Sequence, residues 1–287
     1  IEHLNAIELT PLQKKFIEAL ISSIAHNHPD QISLLEVMRW HLCGGGYFPT
    51  FMDSVTRFSL KDGTEALVKK MIEDGGADIR MSTTVKAVKD LGNKVEVTLV
   101  SGEKLTCGAT INCLPMNTIG DIDYSPALPK GVIEAGKERH TGAGVKVYIK
   151  VKGNVGNILS AANDHPISNV LTYKQAKDYT VLVAFGPSAD ILDVYDDDEL
   201  QKALNDHIPG VEILSSMSYD WNQDPFAKGT YCSYKPGWVG KYYDQFQKDN
   251  GRILFGSSDH GEGWRGFIDG AIGGGILAAH RAKAILG

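Results

Sequence analysis

The sequence contains little cysteine, and the cysteines that it has form no recognisable pattern. There are four in 287 residues, and they show neither zinc-site spacing nor the density of a secreted disulfide framework. We therefore expect no metal site and a reducing compartment, cytoplasmic or another intracellular one. The sequence also starts without a methionine or a signal peptide. The protein is therefore expected to be processed, or numbered from within a longer chain.

Excess positive charge and long apolar runs are absent as well. Lysine and arginine total 29 against 35 aspartate and glutamate residues, which gives a net charge of −6. Such a chain has no basic footprint, so nucleic acid is not an expected partner. There is no run of about 20 apolar residues, so no membrane span is expected. The hydrophobic content of 43% is ordinary for a globular protein, and the length suffices for one large or two medium domains.

The densest group of motifs lies in the last third of the chain. Residues 221–231 read WNQDPFAKGTY, residues 251–259 read GRILFGSSD, and residues 263–271 read GWRGFIDGA. The apolar run within 252–256 is typical of a short buried strand. The segment 271–286 predicts a helix, although its three consecutive glycines each cost about 1 kcal/mol relative to alanine. We infer that another group approaches the start of this helix closely, where bare N–H groups favour a partial negative charge.

In this order, the motifs resemble the C-terminal flavin-binding end of the flavin-dependent amine oxidases. That family includes monoamine, polyamine and bacterial nicotine-degrading oxidases. The spacing from Phe255 through Trp264 to Gly270 matches the monoamine oxidase pattern without a gap. The resemblance covers the whole chain but only the C-terminal two-thirds of the family's sequence. The family's N-terminal strand–Gly-x-Gly-x-x-Gly–helix unit, which holds the FAD pyrophosphate, is missing, and we expect it in residues before Ile1.

The resemblance implies three catalytic side chains. Tyr231 and Phe267 match the two aromatic rings that face the substrate nitrogen in the family, and these two rings are called the aromatic cage. Aromatic walls orient a neutral amine by packing, without a charged partner. Lys146 matches the lysine that binds a water next to flavin N5, where an ammonium would stabilise charge during oxygen reduction. Without the resemblance, both rings are better explained as core aromatics and Lys146 as a solvated strand residue.

The resemblance also implies a set of cofactor-binding residues. They are Val85, Trp221, Ser258, Asp259, Trp264, Phe267 and Ile268. Val85 would act through its backbone near the adenine end of FAD, which the sequence does not separate from plain core packing. Thr230 stands where monoamine oxidases carry the cysteine that attaches FAD, so we expect the FAD to be bound non-covalently. Ser257 and Asp259 differ from the family's usual glycine and glutamate, which leaves the detailed cofactor contacts open.

The rest of the sequence alternates between strand and helix patterns. Helices are predicted near residues 11–24, 31–42, 65–73 and 197–205 and directly after residue 129, in addition to 271–286. Strands are predicted near 78–90, 94–100, 104–115, 142–151, 169–173, 179–185 and 211–219, in addition to 252–256. The acidic stretch 193–199 is better explained by a solvated helix N-terminus than by a metal site.

These patterns and the resemblance together predict a mixed α/β (α+β) fold with two interleaved lobes. The FAD-binding lobe comprises residues 71–128 and 226–287. The substrate lobe comprises residues 1–70 and 129–225 and contains a mixed sheet with flanking helices.

The function implied by the resemblance is FAD-dependent oxidation of a small amine. Hydride transfer to the flavin would give an imine, and molecular oxygen would be reduced to hydrogen peroxide. Two alternatives stay open. One is another oxidoreductase of the wider flavin superfamily, such as a desaturase or a protoporphyrinogen-oxidase-like or renalase-like enzyme. The other is an incomplete fragment that does not hold FAD by itself. A homodimer is also an open option, and the sequence does not identify the amine.

Overall fold

The computed structural model describes residues 2–246 and 248–287 and has the mixed α/β fold that the sequence predicts. The helices are α1 (Glu2–Asn5), α2 (Pro11–Ala25), α3 (Leu34–Cys43), α4 (Phe48–Thr56), α5 (Gly63–Gly75), α6 (Lys130–Glu138), α7 (Asp197–His207), α8 (Trp238–Phe246) and α9 (Ile268–Leu286). The strands are β1 (Val85–Asp90), β2 (Val95–Leu99), β3 (Lys104–Cys107), β4 (Thr110–Asn112), β5 (Asp123–Ser125), β6 (Val145–Lys152), β7 (Leu159–Ala161), β8 (Asn169–Gln175), β9 (Tyr179–Gly186), β10 (Ile213–Ser218) and β11 (Ile253–Phe255). Short 3-10 helices span Pro29–Gln31, Met116–Asp121 and Ser258–His260.

Local sequence signals explain where α2 begins and ends. The Thr10 hydroxyl accepts a hydrogen bond from the backbone of Gln13, whose side chain bonds back to Thr10, and Pro11 occupies the first turn. The helix ends at His26, which adopts a left-handed backbone with φ of 52°. Because the helix ends here, the side chain of His26 lies against Tyr231, one of the predicted catalytic residues.

The first sheet has the order β3-β2-β1-β5, and a separate parallel pair joins β4 to β11. The predicted strand over 104–115 is therefore divided into β3 and β4, which belong to different sheets. The predicted strand start at residue 78 is also wrong, since β1 begins only at Val85. Around this sheet lies the first core, which also includes side chains of α6 and α8. Its largest fully buried members are Met116, Ile119, Tyr234, Tyr242 and Ile253.

The second sheet is antiparallel throughout, with the order β10-β6-β9-β8-β7. Alternate residues of β6 are buried in a second core with α7, and these are Val145, Val147, Ile149 and Val151. Because side chains alternate along a strand, Lys146 points to the opposite face, where Phe185 of β9 is its cross-strand neighbour. The alternation along β6 therefore places the side chain of Lys146, the predicted catalytic lysine, on the face of the sheet opposite the second core.

A third, smaller core joins the N-terminal helices to the C-terminal loop. Ala25, Ile32, Trp40 and Phe51 are buried here, and Trp264 and Phe267 pack against them. The division into an FAD-binding lobe and a substrate lobe stays a prediction. Helix α6 follows the predicted boundary at residue 129 and so belongs to the predicted substrate lobe, but it packs in the first core with elements of the predicted FAD-binding lobe. Within residues 2–246 and 248–287, no helix is long and apolar enough to cross a membrane.

Candidate active site

Tyr231 lies partly buried at the junction of three chain segments. The ring of His26 is 4.1 Å from the Tyr231 ring, centroid to centroid, at an interplanar angle of 41°. Gly142 packs so closely on the backbone of residues 230–231 that a side chain there would collide with the Tyr231 carbonyl. Burial raises the pKa of the Tyr231 phenol, and the charge of Lys146 partly offsets this rise. The segment that leads into β6 is thereby fixed against the predicted cage tyrosine.

Lys146 projects from β6 into an aromatic environment. Its Nζ lies 5.1 Å from the ring centre of Tyr148 and 5.6 Å from that of Phe185. No carboxylate of the described residues lies within 4.0 Å of this ammonium. Lys146 is therefore a half-buried cation whose charge is balanced by ring faces rather than by an acid.

Phe267, the second predicted cage ring, is the N-cap residue of α9. Its ring makes edge contacts with Trp264 at 5.3 Å and with Phe51 at 6.3 Å. The preceding Gly266 has φ of 79°, and a Cβ at this position would lie 2.9 Å from the carbonyl oxygen of Cys232. The loop that carries Phe267 is therefore packed on the backbone next to Tyr231. The structure brings the two predicted rings onto adjoining segments.

A buried ion-pair network that was not predicted from the sequence holds this loop. The fully buried Glu36 of α3 accepts hydrogen bonds from Arg265 at 2.6 Å and from Arg39 at 2.7 Å. Arg39 also donates to the carbonyl of Gly263, and the Arg265 guanidinium lies 3.6 Å above the Tyr234 ring. The network fixes the loop of residues 263–267, and with it Phe267, to α3.

Two cavities lie beside the β4–β11 pair. The larger, of about 740 Å³, is mainly apolar and is lined by Val85, Val97, Ile111, Asn112 and Phe226 among others. The smaller, of about 230 Å³, lies beside the first turns of α9 and is lined by Gly256, Ser257, Trp264, Gly270 and Gly273 among others. An apolar cavity of the larger size suits a flat heterocycle such as adenine or flavin. Val85 lines the larger cavity and Trp264 the smaller one, and their cofactor roles stay predictions.

The other predicted cofactor residues are spread more widely. Trp221 is 48% exposed and contacts Tyr219, and Ile268 is 46% exposed on the first turn of α9. The Asp259 carboxylate is buried, where it accepts hydrogen bonds from the Met116 backbone at 2.8 Å and from the Ser258 hydroxyl at 3.2 Å. Both Asp259 contacts are within the protein. The roles of these residues toward a cofactor stay predictions.

The loop before α9 also has Gly-x-Gly-x-x-Gly spacing, at Gly261, Gly263 and Gly266. In a dinucleotide-binding unit the first glycine follows directly on a strand. Here the 3-10 helix Ser258–His260 lies between β11 and Gly261, and Gly266 is explained by its contact with Cys232. We attribute this spacing to packing of the loop rather than to a phosphate turn.

One group of side chains has the composition of a metal site. Donor atoms of His140, Cys232 and Asp259 lie within 4.8 Å of one another, and all three residues are buried. However, Nδ1 of His140 accepts a hydrogen bond from the Gly142 backbone at 3.1 Å, so the neutral ring carries its proton on Nε2. Burial also raises the pKa of the Cys232 thiol well above its usual value. Both features disfavour metal binding, and the expectation that no metal is bound stays a prediction.

Comparison with known sequences gives the same result as the motifs. Residues 21–283 match the family model described as flavin containing amine oxidoreductase. The chain is 40% identical to pseudooxynicotine dehydrogenase of Pseudomonas sp. over 99% of its own length and 58% of that protein. It is 32% identical to nicotine dehydrogenase of Pseudomonas putida over 100% of its length and 60% of that protein. The chain thus spans about three-fifths of the length of these relatives.

Solved structures agree in fold. A triple mutant of putrescine oxidase superposes with a TM-score of 0.84 at 19% identity, covering 99% of this chain and 67% of that one. Cyclohexylamine oxidase from Brevibacterium oxydans superposes with a TM-score of 0.78 at 16% identity, covering 99% of this chain and 67% of that one. At these identities the likeness establishes the shared fold alone.

Proposed function

Because this chain belongs to the flavin-containing amine oxidoreductase family, we propose that it carries out the FAD-dependent oxidation of a small amine. The single observation that carries this proposal is that Tyr231 borders both the loop that carries Phe267 and the Lys146 ammonium. Two aromatic rings on adjoining segments and a half-buried ammonium next to one of them come from three distant parts of the sequence. Core packing alone does not call for an ammonium beside Tyr231 that lies against the rings of Tyr148 and Phe185.

The residues present fit a flavin. The larger cavity offers apolar walls at Val85 and Phe226, and the smaller one adds the bare backbone of α9 at Gly273. Val85, Trp264 and the first turn of α9 would hold the cofactor, together with Trp221, Ser258 and Asp259 as the resemblance implies. When bound, FAD supplies the electron acceptor for a hydride from the carbon next to the amine nitrogen. The resulting imine is hydrolysed by water.

The protein's own residues orient the substrate and control charge. Tyr231 and Phe267 would form the walls between which the amine nitrogen lies, because flat rings position a neutral amine by packing. Burial keeps the Tyr231 phenol un-ionised, so this wall carries no negative charge that would hold the amine as an ammonium. Lys146 would hold a water and stabilise the negative charge that develops when oxygen is reduced.

The names of the relatives support a substrate of the nicotine type, a cyclic or secondary amine attached to an aromatic ring. Two relatives are named for nicotine and pseudooxynicotine, and a third is (S)-6-hydroxynicotine oxidase of Paenarthrobacter nicotinovorans, at 26% identity. We take a member of this class, rather than a linear polyamine, as the first substrate to test.

A second candidate function concerns the electron acceptor. The relatives at 40% and 32% identity are both named dehydrogenases, whereas the third is named an oxidase. These names favour a dehydrogenase that passes electrons to an acceptor other than oxygen. Lys146 favours the oxidase, since its charge would assist oxygen reduction.

One experiment tests both proposals. The flavin-loaded protein, which is this chain extended by a strand–Gly-x-Gly-x-x-Gly–helix unit where the 287 residues alone do not retain FAD, is mixed anaerobically with a panel of amines while the flavin absorbance is followed. It is then exposed either to oxygen or to an electron-accepting dye. Bleaching by an amine with imine formation is expected. Peroxide at a rate that matches turnover would support the oxidase, and reoxidation by the dye alone would support the dehydrogenase. Absence of bleaching by every amine would reject the proposed function.

We also expect FAD to be bound without a covalent link, because Thr230 has no sulfur for a thioether. Cys232, the nearest cysteine, is buried, and its raised thiol pKa disfavours the reactive thiolate. Acid precipitation of the flavin-loaded protein should leave all flavin in the supernatant. Yellow colour that remains with the pellet after washing would show that a covalent bond exists.

A further inference from the structure

His26 connects the end of α2 to the segment that carries Tyr231. Only 1% of His26 is exposed, and its ring lies against the Tyr231 ring at 4.1 Å. On another side, the ring meets the edge of Phe185 at 5.8 Å. A rigid imidazole therefore lies between the predicted cage tyrosine and an aromatic residue that also contacts Lys146.

The hydrogen bonds of His26 fix its tautomer. Nδ1 lies 3.1 Å from the carbonyl oxygen of Thr230. A carbonyl only accepts, so Nδ1 must carry the proton and Nε2 must hold a lone pair when the ring is neutral. Nε2 is buried and has no hydrogen-bond partner among residues 2–246 and 248–287. The ring thus holds the Thr230–Tyr231 backbone by its N–H and the Tyr231 side chain by its face.

The backbone of residue 26 is held as firmly as the side chain. The carbonyl of His26 accepts a hydrogen bond of 2.8 Å from Ala143, which lies three residues before Lys146. The side chain of Asn27 bonds to the carbonyl of Thr141 in the same segment. The end of α2 is therefore fixed to the segment that leads into β6, and His26 spans from there to residues 230–231.

A role as a general base does not fit this environment. The pKa of His26 is lowered to about 3, mainly by burial and to a smaller extent by the Lys146 charge, while the bond to Thr230 acts in the opposite direction. Among titratable groups, the charge of Lys146 acts on this ring and the Tyr231 phenol ring packs against it. A ring that stays neutral at physiological pH accepts no proton from a substrate ammonium, so its effect must pass through its neighbours.

We propose that His26 is a positioning residue of the amine site, which sets the orientation of the Tyr231 ring by ring contact and by the Nδ1–H bond to Thr230. This inference rests on the proposed function, because it assigns a role relative to the substrate wall. A displacement of about 1 Å at a positioned group is enough to reduce a rate about 100-fold. Loss of the contact between His26 and Tyr231 would allow a displacement of the Tyr231 ring, and the rate of amine oxidation should therefore depend on this contact.

The main test is a double-mutant cycle in the flavin-loaded protein. His26→Asn is the variant of choice, since asparagine tolerates a left-handed backbone and its side-chain N–H can replace Nδ1–H. It removes the ring and keeps the donor. We expect anaerobic flavin reduction by the amine to slow about 10- to 100-fold, with reoxidation unchanged. In a Tyr231→Leu background, the same change should have little further effect, because its target ring is gone.

A second measurement needs neither flavin nor turnover. In protein labelled with ¹⁵N-histidine, the His26 side chain, assigned by its loss in His26→Asn or His26→Gln, should show a protonated Nδ1 and an unprotonated Nε2 from pH 8 to pH 5. His41→Asn, an exposed change of the same type, is the matched control and should leave both measurements as in the wild type. A charged ring at pH 6 would overturn the inference.

The outcomes separate the two proposals. Wild-type flavin that no amine reduces would reject the proposed function. Wild-type reduction with an unaffected His26→Asn variant would reject the positioning role alone. Equal losses from His26→Asn with and without the Tyr231 ring would also reject it, since the effect would then not pass through Tyr231.

Discussion

At the scale of single residues, the proposed chemistry depends on where the Lys146 ammonium lies. Lys146 is half-buried among the rings of Tyr148 and Phe185, and no acid of the described residues neutralises it within 4.0 Å. A preorganised charge of this kind stabilises a developing negative charge more than water does, because it needs no reorganisation. Its position on β6 follows from simple strand alternation with the buried valines.

We expect Lys146→Met to slow reoxidation of reduced flavin by oxygen far more than anaerobic reduction by the amine. The loss of one such charge is worth about 3–4 kcal/mol, or roughly 100- to 1000-fold in rate. Stopped-flow mixing of reduced protein with oxygen measures this step directly. Lys152→Met is the matched control, since Lys152 lies on the same strand, is exposed and pairs with Glu212 at 2.7 Å. Equal reoxidation rates in Lys146→Met and wild type would make Lys146 an ordinary strand residue.

Single residues also show where sequence reasoning ends. Tyr231 and Phe267 could be selected because each stands within an ordered series of motifs, and the structure places them on adjoining segments. His26 could not be selected. Its partner Thr230 is 204 positions away, and an isolated histidine at the end of a helix carries no local signal of that contact. Glu36 was hidden for the same reason, since its partner Arg265 is 229 positions away.

At the scale of secondary-structure elements, α3 holds the C-terminal loop through a buried charge. Glu36 has no exposed surface and faces two arginines, of which Arg265 is 5% exposed. Removal of one partner from a buried ion pair leaves the other charge desolvated and unpaired. The network should therefore matter for stability as well as for the position of Phe267.

We expect Glu36→Gln to lower the free energy of unfolding by about 3–5 kcal/mol, because Arg265 and Arg39 lose their counter-charge while the shape is kept. Urea denaturation of the chain measures this. Asp53→Asn is the matched control. It breaks the Asp53–Arg57 pair on α4, whose side chains are 48% and 64% exposed, and it should change stability by no more than about 1 kcal/mol. A loss for Glu36→Gln as small as that of the control would contradict the assigned role of the network.

Elements with strong local signals were predicted well, and those that depend on distant contacts were not. Thr10 and Pro11 marked the start of α2 correctly, as the capping box shows. Helix α8, which starts at Trp238 directly after Pro236-Gly237, was not predicted. Its contacts are distant in sequence: Trp238, Tyr242 and Phe246 are buried in the first core, and Glu138, about a hundred positions away, accepts hydrogen bonds from Trp238 and Tyr242. The division of the predicted strand 104–115 into β3 and β4 likewise follows from tertiary pairing, because β4 pairs with β11.

At the scale of the whole molecule, the question is how much of the proposed cofactor site these 287 residues form. The chain spans about three-fifths of its relatives, and its N-terminal part lacks the strand–Gly-x-Gly-x-x-Gly–helix unit that holds the FAD pyrophosphate in the family. Within the described residues β4 pairs with no strand other than β11. Ile111 of β4 is 39% exposed and borders the larger cavity. One edge of this parallel pair therefore stays free beside the place where the cofactor would lie.

We predict that the 287-residue chain produced alone will not retain FAD through gel filtration, whereas the same chain extended by a strand–Gly-x-Gly-x-x-Gly–helix unit will. Most of the contacts to a pyrophosphate come from such a loop and the helix that follows it, so the remaining walls at Val85 and Trp264 should bind the rings only weakly. Native mass spectrometry distinguishes the outcomes, with the isolated chain expected near 31.2 kDa. An ion at the mass of the isolated chain plus one FAD would show that these residues suffice to bind the cofactor, and would contradict the prediction.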